Sequence, residues 1–486
     1  MSPSAVPSSA SHGHFQTDLN LSLRGLGVEY PPFLLGPEAL DTLANRFYPP
    51  SAALKKVLSI NRFTGIETRA AVGDVDHPLV NQPNPPSIKE LNDLFRLHGV
   101  PLSVKACRKA IQEWGGSVDD ITHVVSTTCT NSANPGFDHF VVKELGIRSS
   151  IEKILLHGIG CSGGMAAMRT AAHLALGASY QRKPARVLVV ACEVSSALVR
   201  SELDSINEHQ QTRVGACLFS DCASAAILSN GVGEDPSAKP VFDLLGWKHQ
   251  IIDDTEEDLG FDVDPLGWKV VLTQRVPTLA AAAVSPCFQD LVESVPAIDK
   301  NARSPIAADF DWALHPGGSL IITGVEQAMS LTPEHLRASY EIYMKYGNSS
   351  SATILSVLNK LRESEGKENV VACAFGPGIA LEMMLLRRHK TGPASANGAE
   401  SDGIPESRDA AGATVQENIT NGNGVPHMNG NPITTNGAAA ADDDDHPDGP
   451  AAEASSSVEN KSEQNGATAA DGEAGLGPKL PVEDVD

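Results

Sequence analysis

Residues 154–176 read ILLHGIGCSGGMAAMRTAAHLAL, and this stretch decides the fold class. Ile154–Ile159 is an apolar run of strand length, and Gly160-Cys161-Ser162-Gly163-Gly164 breaks it. Met165–Leu176 then has the small and apolar residues of a helix suited to tight packing inside a large fold. Arg186–Cys192 (RVLVVAC) follows as a strand, and Ile121–Thr128 (ITHVVSTT) precedes as another, both without charged residues in their interiors. Short buried strands alternating with helices are the sequence form of βαβ units.

The same order returns later in the chain. Phe310–Leu314 is strand-like and ends in His315-Pro316-Gly317-Gly318; Asn348-Ser349-Ser350-Ser351-Ala352 opens the helical stretch SATILSVLNKLRE. Val370–Phe375 is a strand broken at Gly376-Pro377-Gly378, and Ile379–Leu386 is the next. Strand, cysteine-bearing helix, strand is thus matched by strand, asparagine-bearing helix, strand. The expectation is an α/β protein of two similar halves, divided as a flexible lead (1–20), an N-terminal half (21–235), a C-terminal half (236–390) and an acidic tail (391–486).

Composition separates the tail from the body. From Thr391 onward there is no Phe, Tyr or Trp, and 18 acidic residues face Arg408, Lys461 and Lys479, so the tail holds −15 of the chain's formal −23. Such a stretch cannot bury enough apolar surface to offset its ordering entropy and is expected to be disordered. No basic face suited to phosphate is evident, so nucleic acid is not an expected partner. The eight cysteines form no CxxC pair, which suits reduced thiols in a cytoplasmic compartment. The N-terminus lacks the basic and apolar regions of a secretory signal, and no run of about 18 apolar residues would span a bilayer.

Cys161 sits at a strand-to-helix junction flanked by glycines. Glycine permits the tight turn that exposes a side chain, and a helix N-terminus favours the thiolate, the nucleophilic form. A buried structural thiol would leave the same trace. His315 ends an apolar strand beside permissive backbone, where a lone histidine is more often a packed structural residue. Asn348, just before a helix, reads equally as an ordinary N-cap. Their joint occurrence in the order Cys, His, Asn favours chemistry over three separate structural roles.

GCSGG around Cys161, HPGG at His315, YGNSSSA at Asn348 and FGPG at Phe375–Gly378 together resemble the chalcone synthase-like type III polyketide synthases. The likeness runs from about Val28 to Arg388, through KPARVLVVACEVSS and VGACLFSDCASAAIL. The Ser-Gly-Gly after Cys161 and the RSELDSI segment are closer to the fungal branch, which makes alkylresorcinols, resorcylic acids and pyrones. The resemblance implies a thiolase-like αβαβα fold, a homodimer, and a catalytic Cys161, His315 and Asn348. It implies acyl-CoA and malonyl-CoA as substrates, with no metal and no cofactor, for a transferase of secondary metabolism. In that chemistry Cys161 holds the chain as a thioester, and His315 and Asn348 donate to the malonyl thioester carbonyl as CO2 leaves.

The same resemblance places Phe219 between CoA tunnel and cavity, and puts Val270, counted back from Pro277, where plant enzymes have a gating Phe. Ser350, Gly376 and Gly378 fall among substrate-binding positions, and Lys55, Lys56 and Arg62 lie where CoA phosphates would be met. Asn134-Pro135-Gly136 matches a loop that crosses the family's dimer interface. A ketoacyl synthase III-like enzyme shares the Cys-His-Asn set but performs one condensation. A non-catalytic scaffold with the tail as binding element is a further alternative. Starter length, number of extensions and cyclisation mode do not follow from the residues.

Overall fold

The computed structural model describes residues 19–235, 237–264, 267–295, 298 and 304–389. The acidic tail and all but the end of the N-terminal lead lie outside the described residues, so those expectations have no structural counterpart here. Nine strands form one sheet: β1 (Leu21–Glu29), β2 (His123–Thr127), β3 (Glu152–Leu156), β4 (Arg186–Glu193), β5 (Cys222–Ser229), β6 (Phe242–Ile251), β7 (Asp311–Leu314), β8 (Asn369–Gly376) and β9 (Ala380–Arg388). Their spatial order is β7-β8-β9-β6-β1-β5-β4-β2-β3.

The repeat is visible in the pairing. In the first half β1 runs antiparallel to β5, β5 antiparallel to β4, and β4 parallel to β2. In the second, β6 runs antiparallel to β9, β9 antiparallel to β8, and β8 parallel to β7. The halves join where β1 pairs with β6, Leu21 opposite Leu244. Each parallel pair needs a crossover: β2 reaches β4 through the core helix Gly163–Tyr180, β7 reaches β8 through the core helix Thr353–Leu361, and β2 reaches its other parallel neighbour β3 through the outer helix Phe137–Leu145.

Strand periodicity sorts the side chains into layers. Val125, Val187, Val189 and Leu228 point inward, with Val370, Ala372 and Met384 of the other half, onto the two core helices. Val124, Leu188, Val190 and Ile227 point outward onto helix Val100–Trp114. Val371, Cys373 and Leu385 likewise face helices Val276–Ser294 and Ser319–Ala328. The result is the expected αβαβα sandwich. The small residues of the first core helix serve this packing: a Cβ on Gly164 would lie 2.4 Å from the Ser351 carbonyl oxygen, so only glycine lets the helix starts meet.

Two local expectations change. The run from Ile154 to Ile159 is strand only to Leu156, and β3 is the sheet's outer strand, with Ile154 38% exposed. Its apolar residues therefore do not mark a strand buried on both sides. Asn348 does not cap the second core helix, which starts at Thr353 after the turn Ser350–Ala352. Its Oδ1 instead accepts from the backbone N–H of Ser350 at 2.8 Å.

Candidate active site

Cys161 occupies the single turn Gly160–Ser162 between β3 and the first core helix. Gly160 has φ +57°, and a Cβ there would lie 2.7 Å from Pro377, so the turn needs glycine on both counts. A Cβ on Gly376 would meet Ser162 Oγ at 2.2 Å. Gly376 thus seats the cysteine turn against the end of β8. Gly378, at φ +62°, lines a neighbouring recess with Cys129 and His157.

Ser350 is the junction of the site. Its Oγ donates to Cys161 Sγ at 3.5 Å and lies 3.5 Å from Cys129 Sγ. Asn348, buried, fixes Ser350 through Oδ1 and donates from Nδ2 to the Gly317 carbonyl at 3.3 Å. The Asn348 N–H donates to Leu218 O at 3.0 Å, and Ser220 N–H donates to Asn348 O at 2.9 Å; these bonds bring Phe219 alongside. His315 enters from the end of β7, its backbone N–H held by Cys373 O at 2.8 Å. Both of its ring nitrogens are buried without a hydrogen-bond partner. The three candidate residues are thereby linked: Ser350 joins Cys161 to Asn348, and Asn348 reaches the Gly317 backbone two residues beyond His315.

The electrostatics differ from the expected resting thiolate. Burial pushes the Cys161 thiol up to about 11, the Ser350 hydrogen bond pulls it back, the Glu193 carboxylate raises it, and Asn348 lowers it. Burial alone drives the His315 imidazole down to about 3. Both groups are neutral in this state, because desolvation outweighs the helix N-terminus.

A cavity opens from this cluster, lined by Cys161, Cys129, Phe219, Val270 and Ser350 and otherwise mostly apolar. Val270 packs where a Gly215 Cβ would be, 2.7 Å from its Cγ2, and its N–H donates to Glu202 Oε1 at 3.2 Å. Lys55, Lys56 and Arg62 share helix Ala52–Phe63 and do not line the cavity. Lys55 is exposed, and Arg62 is paired with Asp41 at 3.1 Å.

Two buried carboxylates went unnoticed in the sequence. Glu193 accepts from Cys129 N–H, Thr128 Oγ1, Thr130 Oγ1 and Ser351 Oγ, binding the Cys129 loop to the Ser350 turn. Asp221 accepts from the N–H groups of Val72, Ser195 and Ser196 and from Ser196 Oγ, at 2.6–2.8 Å, and so ties two cavity walls together. Both lie in quoted motifs, ACEVSS and LFSDC, where an acidic residue inside an apolar strand context is the available signal.

Fold and site together define a condensing acyltransferase of the thiolase-like class. Residues 62–236 match the N-terminal domain of chalcone and stilbene synthases, and residues 244–389 match the C-terminal domain. The chain belongs to this family and is a type III polyketide synthase, a malonyl-CoA-dependent acyltransferase. It is 44% identical over 382 residues to the type III polyketide synthase pspB of Penicillium soppii, covering 76% of this chain and 96% of that one. It is 40% identical over 375 residues to the acylalkylpyrone synthase csyB of Aspergillus oryzae, covering 76% and 94%. A solved structure of CsyB holds CoA-SH. The structure of a type III pentaketide synthase from Neurospora crassa superposes with a TM-score of 0.75 at 58% identity, covering 76% of this chain and all of that one. Membership sets aside the ketoacyl synthase III reading. Among the described residues no helix is long and apolar enough to cross a membrane.

Proposed function

We propose that Cys161, His315 and Asn348 extend fatty acyl-CoA starters with malonyl-CoA and release alkylresorcinol, resorcylic acid or pyrone products. One observation carries the reading: a thiol bonded by Ser350, which Asn348 holds in place, opens into a mostly apolar cavity. The Cys161 proton passes to His315 as the sulfur attacks the starter carbonyl. The Cys161 S–C bond forms, the CoA S–C bond breaks, and CoA leaves as the thiol with that proton. Since both resting groups are neutral, charge develops only with substrate in place.

In the second stage malonyl-CoA loses CO2, and its electron pair becomes an enolate. N–H donors on His315 and Asn348 Nδ2 stabilise the enolate oxygen, an oxyanion-hole role worth about 3–4 kcal/mol per donor. The enolate carbon attacks the acyl thioester, a C–C bond forms, the Cys161 S–C bond breaks, and Cys161 leaves as the thiolate, ready for another cycle. Burial of the acyl chain favours long starters by about 0.8 kcal/mol per CH2.

A pyrone product is supported by likeness to csyB, named an acylalkylpyrone synthase. A homodimer and a cytoplasmic location complete the proposal. The exposed face of outer strand β3, beside the Asn134-Pro135-Gly136 loop, supports the former. Incubation with malonyl-CoA and a ladder of acyl-CoA starters, with products identified by mass spectrometry, tests the function. Turnover of phenylpropanoid starters alone would overturn the fatty-acyl assignment. Light scattering of the purified chain tests the dimer.

A further inference from the structure

The cavity does not end inside the sandwich. Its walls also include Leu40 and Leu43, which belong to a separate apolar cluster with Leu203 and Ile206. The same cavity is lined by Gly73, Asp74, Val75 and His77. Asp74 is exposed and the other three are half-buried, so this part of the cavity reaches the surface.

The His77 ring lies across Gly73. A Cβ built on Gly73 would stand 2.6 Å from Cδ2 and 2.7 Å from Cγ of the imidazole, so the absence of a side chain at 73 is what lets the ring sit there. The ring is fixed from two further sides. Its Nδ1 accepts from the Leu79 N–H at 3.2 Å, and His98 meets it edge-on at a centroid distance of 6.2 Å. The segment carrying it is held too. Arg46 donates to Val75 O at 3.0 Å and Asn81 Oδ1 at 2.8 Å and pairs with Asp76. Buried Arg200 donates to Val80 O at 2.6 Å and Gln82 O at 2.7 Å. A wall anchored by two arginines can act as a stop for a flexible chain.

We propose that His77, seated on Gly73, is a specificity-determining residue that sets the longest acyl chain the cavity accepts. This rests on the fatty-acyl reading above. An acyl tail running from Cys161 along the cavity meets the imidazole before it meets solvent. Chains that end at the ring stay buried. Longer ones must displace it.

The test separates loading from elongation. The full-length enzyme is given single acyl-CoA starters, from hexanoyl to eicosanoyl, without malonyl-CoA, and acylation is followed by intact-protein mass. His77→Ala removes the stop, and His77→Trp moves it inward. The ratio of stearoyl to decanoyl loading rates is expected to rise about tenfold in His77→Ala and to fall about tenfold in His77→Trp, the effect of two or three methylenes. General loosening of the fold would slow every starter alike and would not move the ratio in opposite directions. If one variant does not fold, the other decides alone. A wild type loaded normally but an unchanged ratio in the variants overturns the stop and leaves the fatty-acyl reading standing. A wild type that accepts no fatty acyl group overturns both.

Discussion

Ser350 Oγ donates to Cys161 Sγ at 3.5 Å while its own backbone N–H is gripped by Asn348 Oδ1 at 2.8 Å. Ser350 has φ +45°, a conformation unusual for a residue other than glycine, and the Asn348 bond helps to hold it there. Asn348 therefore acts on the Cys161 thiol through the serine it positions.

Ser350→Ala removes the hydrogen bond that its hydroxyl donates to Cys161 Sγ, which favours the thiolate. The Cys161 pKa then rises above its wild-type value, and at any fixed pH less of the thiol ionises. The rate of iodoacetamide alkylation at Cys161, followed against pH, should shift upward in midpoint, and turnover at neutral pH should fall about tenfold, as expected for loss of roughly 1.4 kcal/mol. An unmoved alkylation profile would show that the contact carries no electrostatic weight.

Cys161 itself is tested by two substitutions. Cys161→Ala should leave a folded protein that makes no elongated product, because the loss is chemical. Cys161→Gln should retain decarboxylation of malonyl-CoA, since the amide imitates a thioester carbonyl while His315 and Asn348 still face the malonyl group. Evolution of CO2 without condensation is the expected signature. Loss of both activities in a folded Gln variant would remove the enolate role from His315 and Asn348.

Asp221 predicts a pH effect on stability. Burial raises its carboxyl pKa to about 6, the hydrogen bonds from Ser196, Val72 and Ser195 only partly opposing. Its folded pKa is above the unfolded value of about 3.9, so between the two the folded protein binds more protons. Through this group, stability is greatest below about pH 4 and declines as pH rises through 6. Asp221→Asn removes that dependence. It also turns an NH2 toward backbone donors that need an acceptor, at a cost of about 1–3 kcal/mol. Urea unfolding at pH 5 and pH 8 measures both effects, and a variant that keeps the wild-type pH slope would falsify the assignment.

Much of this was legible in the chain because backbone requirements leave local traces. The glycines around Cys161, the strand that ends at His315 and the matched crossovers follow from periodicity and turn chemistry. What stayed hidden depends on distance in space. Nothing near Ser350 in sequence announces that its hydroxyl meets a sulfur 189 positions away. The helix start next to Cys161 suggested a thiolate, yet burial, which no local pattern reports, pushes the thiol the other way. The exposure of Ile154 likewise depends on β3 being an outer strand, a property of the assembled sheet.

Val270 predicts the width of the passage. It lines the cavity, packs over Gly215 with no room for a Cβ between them, and is anchored through its N–H to buried Glu202. A larger side chain there cannot retreat toward Gly215 and must project into the cavity. Val270→Phe should therefore occupy space that acyl methylenes use, each worth about 0.8 kcal/mol or roughly fourfold in affinity. The preferred starter should shorten, or the number of extensions should fall. The measurement is kcat/KM across an acyl-CoA series with product lengths by mass spectrometry, for wild type and variant. Val270→Ala is the converse and should shift both quantities the other way. If neither substitution moves the starter profile or the product length, the Val270 side chain does not set the passage.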